Sequence, residues 1–459
     1  MIVWLLGIIV LLLPGCAVGP SYKQPKTYVP EKYSIDLPQE QEHVCWWKSF
    51  NNKGLEAAIE QGLQCNFDVR ISLEKIEESR AMNRIDVAKI LPQLDFFSDV
   101  LRANLGNGIF SQGLKNVGTF TSKFVAIDTL WEIDIWGRLR RTAKASGYRW
   151  QAQIEDMRDV VVMTAAEIAR TYVALGALQD KITVVQDDIR ASMRLACLHK
   201  DTLLSGVDAE QQYVEQEAAI ATAQAQLVAF VIERIAACNK LAFLLGITPD
   251  RLLLDDACLQ TVPLPEGDLH IQKPYELVRR RPDIRKAERL LAASYEDIGA
   301  AMAEWFPKIS LLGFLGKPFT SGAGVTGGNE KLWAIGPLFG WPIIDFGRIY
   351  FNIKAKQSLQ RQALLMYEKS VTNAVKEVES WLNAYVREKE RANALYQKLS
   401  HAQRVLQLSQ DLFAAGLEAE MVVLNNQKRV NSVRLELVDS QEKVAANFIA
   451  LYKAFGGDW

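Results

Sequence analysis

The sequence is poor in the residues that usually build chemistry. It has four His, at 43, 199, 270 and 401, and no two stand at metal-ligand spacing. Its six Cys lie at 16, 45, 65, 197, 238 and 258, with no C-x-x-C pair, which argues against a zinc site or a redox dithiol. With Cys16 set aside, the other five cannot all pair within one chain, and buried free thiols are the simplest expectation for them. Neither sign of charge dominates: 53 Lys+Arg face 54 Asp+Glu, a net charge of -1. A nucleic-acid binder would carry a basic surplus, and a disordered chain would repel itself through a larger net charge. No Ser/His/Asp, metal-ligand or phosphate-loop constellation occurs, and the Gly-rich stretches lack a strand–Gly–helix context, so neither an enzyme nor a cofactor is expected. No apolar run reaches the about 20 residues of a spanning helix, and the one candidate, residues 1–13, is too short. Hydrophobic residues make up 49% and charged residues 23%, as in an ordinary folded protein. A length of 459 corresponds to about three average domains.

The order of residues says more. MIVWLLGIIVLLLPGC reads as an apolar leader, residues 1–15, removed before Cys16. L-P-G-C at 13–16 looks like a lipobox, which would make Cys16 the acylated first residue, although no Lys or Arg precedes the run and Pro14 stands inside the motif. A leader without lipidation is the alternative. Residues 16–45 begin Pro-rich (CAVGPSYKQPKTYVP) and read as an extended tether. A single acyl chain binds a membrane weakly, so an anchored protein needs a second embedded element.

The chain is duplicated. At an offset of 210 residues WEIDIWGRL (131–139) overlays WPIIDFGRI (341–349), LLSGVDAEQ (203–211) overlays FAAGLEAEM (413–421), and LAFLLG (241–246) overlays LYKAFG (451–456). Upstream, an offset of 215 aligns 66–94 with 281–309, matching Asp68, Arg70 and Pro92 to Asp283, Arg285 and Pro307. The repeats are about 46–262 and 272–459, joined by TVPLPEGDLHIQKP (261–274). Each runs helix, two short apolar strands around a Gly-rich loop, a very long helix, a tight turn at Gly206 or Gly416, and a returning helix; the helical hairpins are placed at 138–245 and 347–455. Residues 138–203 lack Pro altogether and would span about 100 Å as one helix. The returning helix, 208–245, is rich in Ala, which lets helices approach closely. Arg279–Arg281 precede Pro282, which is expected to open a helix.

The strand pairs are placed at 93–134 and 308–345, as 93–104 with 123–134 and 308–316 with 332–345, each strand near the 9–11 residues that a tilted strand needs to cross a bilayer. Val125, Ile127, Thr129, Trp131 and Ile133 share an apolar face, and Ala126, Asp128, Leu130, Glu132 and Asp134 share the other. Apolar-out, polar-in alternation is what a water-filled membrane barrel requires. Four strands cannot close such a barrel, and open strand edges are not tolerated in lipid, so an oligomer with a shared barrel follows. A sheet packed on helices in a membrane-tethered coiled-coil protein is the structural alternative.

These pieces, with C-A-V-G-P-S-Y-K-Q-P, W-W-K-S-F-N (46–51), R-R-P-D-I-R-K-A-E (280–288), G-P-L-F-G-W-P-I-I-D-F-G-R (336–348) and L-Y-K-A-F-G-G-D-W (451–459), resemble the TolC-like outer-membrane efflux proteins, in the lipoprotein branch typified by OprM and NodT. The resemblance covers essentially all of the mature chain. It implies a mainly α fold with a small membrane β part: a homotrimer with one twelve-stranded outer-membrane barrel, four strands per chain, continued by a long periplasmic α-helical barrel. It implies a passive exit duct for small molecules, working with a periplasmic adaptor protein and an inner-membrane pump, usually of the RND type; a type I protein-secretion duct is the alternative. The hairpin turns, Ser205–Gly206–Val207 and Ala415–Gly416–Leu417, would dock the adaptor. The positions of the family's acidic constriction, counted from Gly416, fall on Val422 and Asn425, neither acidic, and Glu215 in the first half stands at the equivalent of Asn425. Asp208, Glu210, Glu418 and Glu420 near the tips either attract cations or stabilise helix N-termini. Asp128, Glu132 and Asp134 are expected to face the lumen.

Overall fold

In a computed structural model the described residues are 17–25, 30, 32–35, 45–104, 119–206, 210–252, 261–267, 274–322 and 331–457. The leader, Cys16, Val207, Asp208 and much of the Gly-rich loops lie outside them. The chain forms α1 (Lys53–Cys65), α2 (Phe67–Ala88), β1 (Asp95–Asn104), β2 (Thr119–Ile133), α3 (Arg138–Leu204), α4 (Glu210–Leu244), α5 (Pro274–Arg280), α6 (Pro282–Ala303), β3 (Lys308–Gly322), β4 (Leu332–Gly340), α7 (Arg348–Ala414) and α8 (Glu420–Ala454). Short 3-10 turns lie at Trp46–Phe50 and Pro249–Arg251.

The duplication is visible in element lengths and in individual hydrogen bonds. α3 and α7 each have 67 residues, α4 and α8 each 35, and α2 and α6 each 22. The Trp131 indole donates to the Ile90 carbonyl at 2.8 Å, and the Trp341 indole donates to the Trp305 carbonyl at 3.0 Å. Asn66 Nδ2 donates to the Leu244 carbonyl at 2.8 Å, and Arg281 Nη1 donates to the Ala454 carbonyl at 2.9 Å. The offsets of 210 and 215 therefore relate contacts as well as letters. The long helices persist because nothing interrupts them and their first turns are capped. The Asp134 carboxylate accepts from the amides of Leu139 (3.1 Å) and Arg140 (2.8 Å), and Asp345 accepts from those of Gly347 (3.0 Å) and Ile349 (2.9 Å). These bonds, that from Ile349 foremost, hold the Asp345 carboxyl below the ordinary carboxylate range. The most apolar stretch of α3, long enough to cross a membrane by length, is 67% buried within the protein, as befits a core helix.

Two compact units are distinguished: Met1–Lys26, Ile76–Gln153 and Lys286–Tyr367 form the first, and Thr27–Lys75, Ile154–Arg285 and Glu368–Trp459 the second. The first holds an antiparallel sheet in the order β1-β2-β3-β4. Its strands differ at the ends from those expected. β3 continues to Gly322, and β4 stops at Gly340 rather than reaching 345. Trp341 is turned toward Trp305 and Pro342 has no N–H to donate, so the ladder ends there. In the same unit Arg141 is buried and donates to the carbonyls of Gly19 (3.1 Å) and Pro20 (3.0 Å) and to Glu296 (2.8 Å), which also binds Lys144 at 2.8 Å. Gly299 leaves no room for a side chain, since a Cβ there would lie 2.5 Å from the Arg141 side chain. The N-terminal tether is thus clasped around residues 19–20.

The second unit has the larger core. Trp46, Phe50, Leu55, Ile59, Ile168, Tyr172, Leu241, Val378, Leu382, Phe448 and Leu451 form one buried cluster. Each large apolar side chain so buried contributes about 1.5–3 kcal/mol. Trp46 stacks on Tyr452 (6.4 Å between ring centres) and Phe50 meets Phe448 edge-on at 5.5 Å. Asn52 starts α1 by accepting from the Leu55 amide at 2.9 Å. The free cysteines Cys65 and Cys197 are exposed, against the expectation of buried thiols; Cys65 closes α1, and Cys197 lies on the solvent side of α3. Cys45 and Cys238 are free and half-buried.

Candidate functional site

Two regions carry the residues of interest: the sheet of the first unit and the hairpin ends of the second. The register fixes which side chains share a sheet face. Ala126 pairs with Phe97 and Gly316, Asp128 with Asp95 and Phe314, and Phe124 with Asp99 and Pro318. Every carboxylate of the described strand residues, Asp95, Asp99, Asp128 and Glu132, is therefore on one face. Phe124 stacks on Phe314 at 5.9 Å with 9° between the ring planes, and Phe97 leans on Phe124 at 6.3 Å. A Cβ at Gly316 would lie 2.8 Å from Phe124, so only glycine lets the rings lie against the sheet. The opposite face carries Phe96, Val100, Val125, Ile127, Trp131, Ile309, Leu311, Leu315, Trp333, Ile335 and Phe339. Phe96, Trp333, Ile335 and Phe339 are all at least 66% exposed. An apolar surface this large and uncovered signals contact with lipid or another apolar partner.

Of the expected lumen residues, Asp128 is half-buried on the carboxylate-bearing face. Glu132 is on that face too, but it is held by Arg138 through two bonds of 3.0 and 2.7 Å. The Glu132 bond is the main reason that the Arg138 pKa lies above its ordinary value. Asp134 follows the strand and serves as the cap of α3, also bonded to Arg140.

At the hairpin ends both turns are left-handed at glycine, with φ of 70° at Gly206 and 74° at Gly416, and neither has a neighbour within 4 Å of a notional Cβ. The second end closes as a Schellman turn: Leu417 N donates to Leu412 O and Gly416 N to Phe413 O, each at 2.9 Å. Ser205 Oγ donates to the Asp201 carbonyl at 2.8 Å. Ser205, Gly206, Ala415 and Gly416 are exposed, and Leu417 is 76% exposed. Leu204, which sequence reasoning passed over, is 78% exposed at the other end.

The acidic candidates separate on inspection. Glu215 is exposed and accepts from Gln211 at 2.8 Å. Glu210, Val422 and Asn425 are exposed, and Glu418 is half-buried. Glu420 is bound by Arg194 through two parallel bonds of 2.7 Å. That bond holds the Glu420 carboxyl below its ordinary pKa. The pair joins α3 of the first hairpin to α8 of the second. Three further ion pairs link the same helices: Lys181 to Asp439 (2.6 Å) and Glu442 (2.9 Å), and Arg434 to Asp187 at 3.4 Å. Arg194 went unnoticed in sequence because its partner is 226 residues away. Elsewhere in this unit a cavity of about 520 Å³ is lined by balanced charges, Asp68, Glu167 and Glu377 against Arg170, Lys376 and Lys453. Among the described residues no cluster of His, Cys, Asp or Glu is arranged to hold a metal ion.

The pattern of the outer membrane efflux protein family matches this sequence twice, over residues 58–247 and 274–457. The chain belongs to this family. It is accordingly a protein of the cell outer membrane, in the channel family of tripartite efflux systems. The cation efflux system protein CusC of Escherichia coli O6:H1 is 26% identical over 461 residues, covering 98% of this chain and 97% of that protein. Nodulation protein T of Rhizobium leguminosarum bv. trifolii is 26% identical over 454 residues, covering 98% and 96%. The solved structure of the outer-membrane channel OprN superposes with a TM-score of 0.83 at 26% identity, covering 96% of this chain and 99% of that one. A structure of CusC superposes with a TM-score of 0.79 at 25% identity, covering 96% and 100%. CusC is named as an efflux system protein and OprN as an outer-membrane channel.

Proposed function

We infer that the chain is one third of a homotrimeric exit duct, which passively conducts small molecules across the outer membrane after an inner-membrane pump, of the RND type, delivers them through a periplasmic adaptor. The observation that carries this reading is the four-stranded sheet, apolar on one face and carboxylate-bearing on the other, whose outer strands β1 and β4 have no further strand beside them among the described residues. In lipid each unpaired edge group costs several kcal/mol. Three copies joining β4 to β1 would remove all edges and give twelve strands around a polar lumen, with the helical hairpins forming the periplasmic part. Relatives named for cation, solvent and toluene efflux support a small-molecule cargo.

In this reading the hairpin ends, Ser205–Val207 and Ala415–Leu417, receive the adaptor, with exposed Leu204 and Leu417 supplying apolar contact. Glu215, Val422 and Asn425 border the entrance, and Asp208, Glu210 and Glu418 give it negative potential. Glu420 is a fastening residue through Arg194. Asp128 sets the potential of the lumen, while Glu132 and Asp134 are compensated by Arg138 and Arg140. Cys16, acylated, would anchor the tether to the membrane beside the barrel. The decisive test is to purify the protein in detergent, measure its mass, and record single-channel currents in planar bilayers. Trimers with steady conductance are expected, and a monomer that gives no current would overturn the reading.

A further inference from the structure

Apart from Lys308 at the start of β3, which shares the carboxylate face, the described charges of the sheet are divided between its faces. The carboxylates share one side, as described. On the apolar side the register leaves only cations: Arg102 of β1, Lys123 of β2, Lys317 of β3 and Lys331, the residue just before β4. There is one per strand, all at the loop end, and at the other end that face carries Ile133, Ile309 and Phe339. Arg102 pairs with Thr121, two residues from Lys123; Lys123 pairs with Phe319, two residues from Lys317; and Lys317 and Lys331 stand one residue past Gly316 and Leu332, the last pair of the β3–β4 ladder. The four thus form a diagonal row. It climbs about 13 Å over the first two of three strand spacings of about 4.8 Å and is level across the last, an average inclination near the about 35–45° tilt of membrane barrel strands. The opposite margin is staggered the same way, since Asp95 at the start of β1 pairs with Asp128, five residues short of Ile133. In a tilted barrel the row is therefore level with the membrane.

Its height also matches a headgroup layer. From Ile133 to Lys123 the strand runs about 33 Å, which at that tilt rises about 25 Å, the usual height of an outer-membrane apolar band. Lysines placed side by side repel unless an anion lies between them. The lysine chains have apolar stems, and Lys317 lies over the Phe319 ring at 5.0 Å from its centre, so the row can sit at the edge of the hydrocarbon with its charges outward.

We propose that Arg102, Lys123, Lys317 and Lys331 form a binding row for the phosphate groups of phosphorylated lipids in the outer leaflet. This rests on the barrel reading, in which the apolar face meets lipid and the loop ends point outward. The row would act as a multivalent phosphate clamp, with acyl chains packed along Val125, Leu315 and Trp333.

The test uses the purified trimer in detergent, washed free of lipid and then mixed with lipopolysaccharide or with lipopolysaccharide dephosphorylated enzymatically, with bound lipid counted by native mass spectrometry. The quadruple variant Arg102→Gln/Lys123→Gln/Lys317→Gln/Lys331→Gln is expected to retain at least tenfold less lipopolysaccharide. The unaltered protein is expected to discriminate at least tenfold against the dephosphorylated form. Lys123→Arg/Lys317→Arg/Lys331→Arg should bind as the unaltered protein does. Equal retention by the quadruple variant, or equal binding of the dephosphorylated lipid, overturns the proposal. Should the quadruple variant fail to assemble, Lys317→Gln/Lys331→Gln and the dephosphorylated lipid decide. Conductance in phosphatidylcholine bilayers separates the two readings. A conducting protein with unselective lipid binding overturns only the clamp, and a non-conducting one overturns the barrel and the clamp together.

Discussion

Asn66 in the first half and Arg281 in the second reach the carbonyls of Leu244 and Ala454, which are related by the repeat offset. The task is the same, holding a returning long helix to the start of a short one, but the means differ. Asn66 is neutral and self-sufficient: its Nδ2 donates, and its Oδ1 accepts from the amides of Asp68 (2.8 Å) and Val69 (3.3 Å). Arg281 reaches the same carbonyl position as a buried cation and needs Asp283 (2.8 Å) and Glu377 (2.9 Å) to balance it. Repetition therefore preserves a hydrogen-bonding geometry while leaving the chemistry free. The halves diverge further where the chain has only one of something. Arg141 and Glu296 clasp the single N-terminal tether, and at the repeat-related positions stand Phe351 and Ala81.

That contrast can be broken most severely at the clasp. Arg141→Ala leaves Glu296, 2% exposed, with only the largely exposed Lys144 to balance it, and should cost about 3 kcal/mol. Thermal unfolding in detergent measures it, and Arg141→Met/Glu296→Gln should recover most of the loss. A double variant no more stable than the single would show that the ion pair is not the cause. Next, Arg281→Ala should destabilise by about 3 kcal/mol, since two carboxylates lose their cation, whereas Asn66→Ala should cost about 1–3 kcal/mol. Equal losses in chemical denaturation would erase the distinction between the halves.

The turns test equivalence rather than difference. Gly206→Val and Gly416→Val meet no steric obstacle, so each should cost only the left-handed backbone penalty, about 1–2 kcal/mol. Both should weaken adaptor capture, scored by pull-down, and undiminished capture by either variant would remove that tip from the docking surface.

The smallest effect concerns Arg194 and Glu420. Because Arg194 depresses the Glu420 pKa, the pair stabilises above the ordinary carboxyl pKa of about 4.3 and is lost as pH falls through the lowered value. Acid should therefore raise the conductance of the unaltered channel, while Glu420→Gln should be raised already at neutral pH and show no further rise. A Glu420→Gln channel with the unaltered pH profile would exclude the pair from the entrance. The repeat offset carries Arg194 to Arg404 and Glu420 to Glu210. If the halves alternate around a trimer, Arg404→Cys/Glu210→Cys should give disulfide-linked subunits on a non-reducing gel, and a purely monomeric band would argue against that alternation.

Much of the fold was legible because duplication and periodicity are local patterns. Pro92 and Pro307, the Pro-free run after Arg138, and Gly206 and Gly416 are punctuation that any chain with those residues must obey. The family followed from motifs spread along both repeats. The strand ends were less legible: Trp341–Asp345 alternates like a strand, yet Trp341 is claimed by the Trp305 carbonyl and Pro342 cannot extend the ladder. The site residues were hardest to grade. Glu132 and Glu420 look like free lumen or entrance carboxylates in the sequence, but Arg138 and Arg194 neutralise them. Composition suggested buried thiols, but whether a helical cysteine faces inward depends on which side of the helix is packed, and Cys197 is on the outer side.

By itself the sequence determined the repeat, the length of the helices, the two-faced strands and the need for partner copies, because each follows from spacing along one chain. Only the tertiary structure decided which charges are spent. Pairs such as Arg141–Glu296 and Arg194–Glu420 join residues 155 and 226 positions apart. The diagonal of Arg102, Lys123, Lys317 and Lys331 likewise appears only once strand register is known, because a shift of one residue would send each side chain to the opposite face.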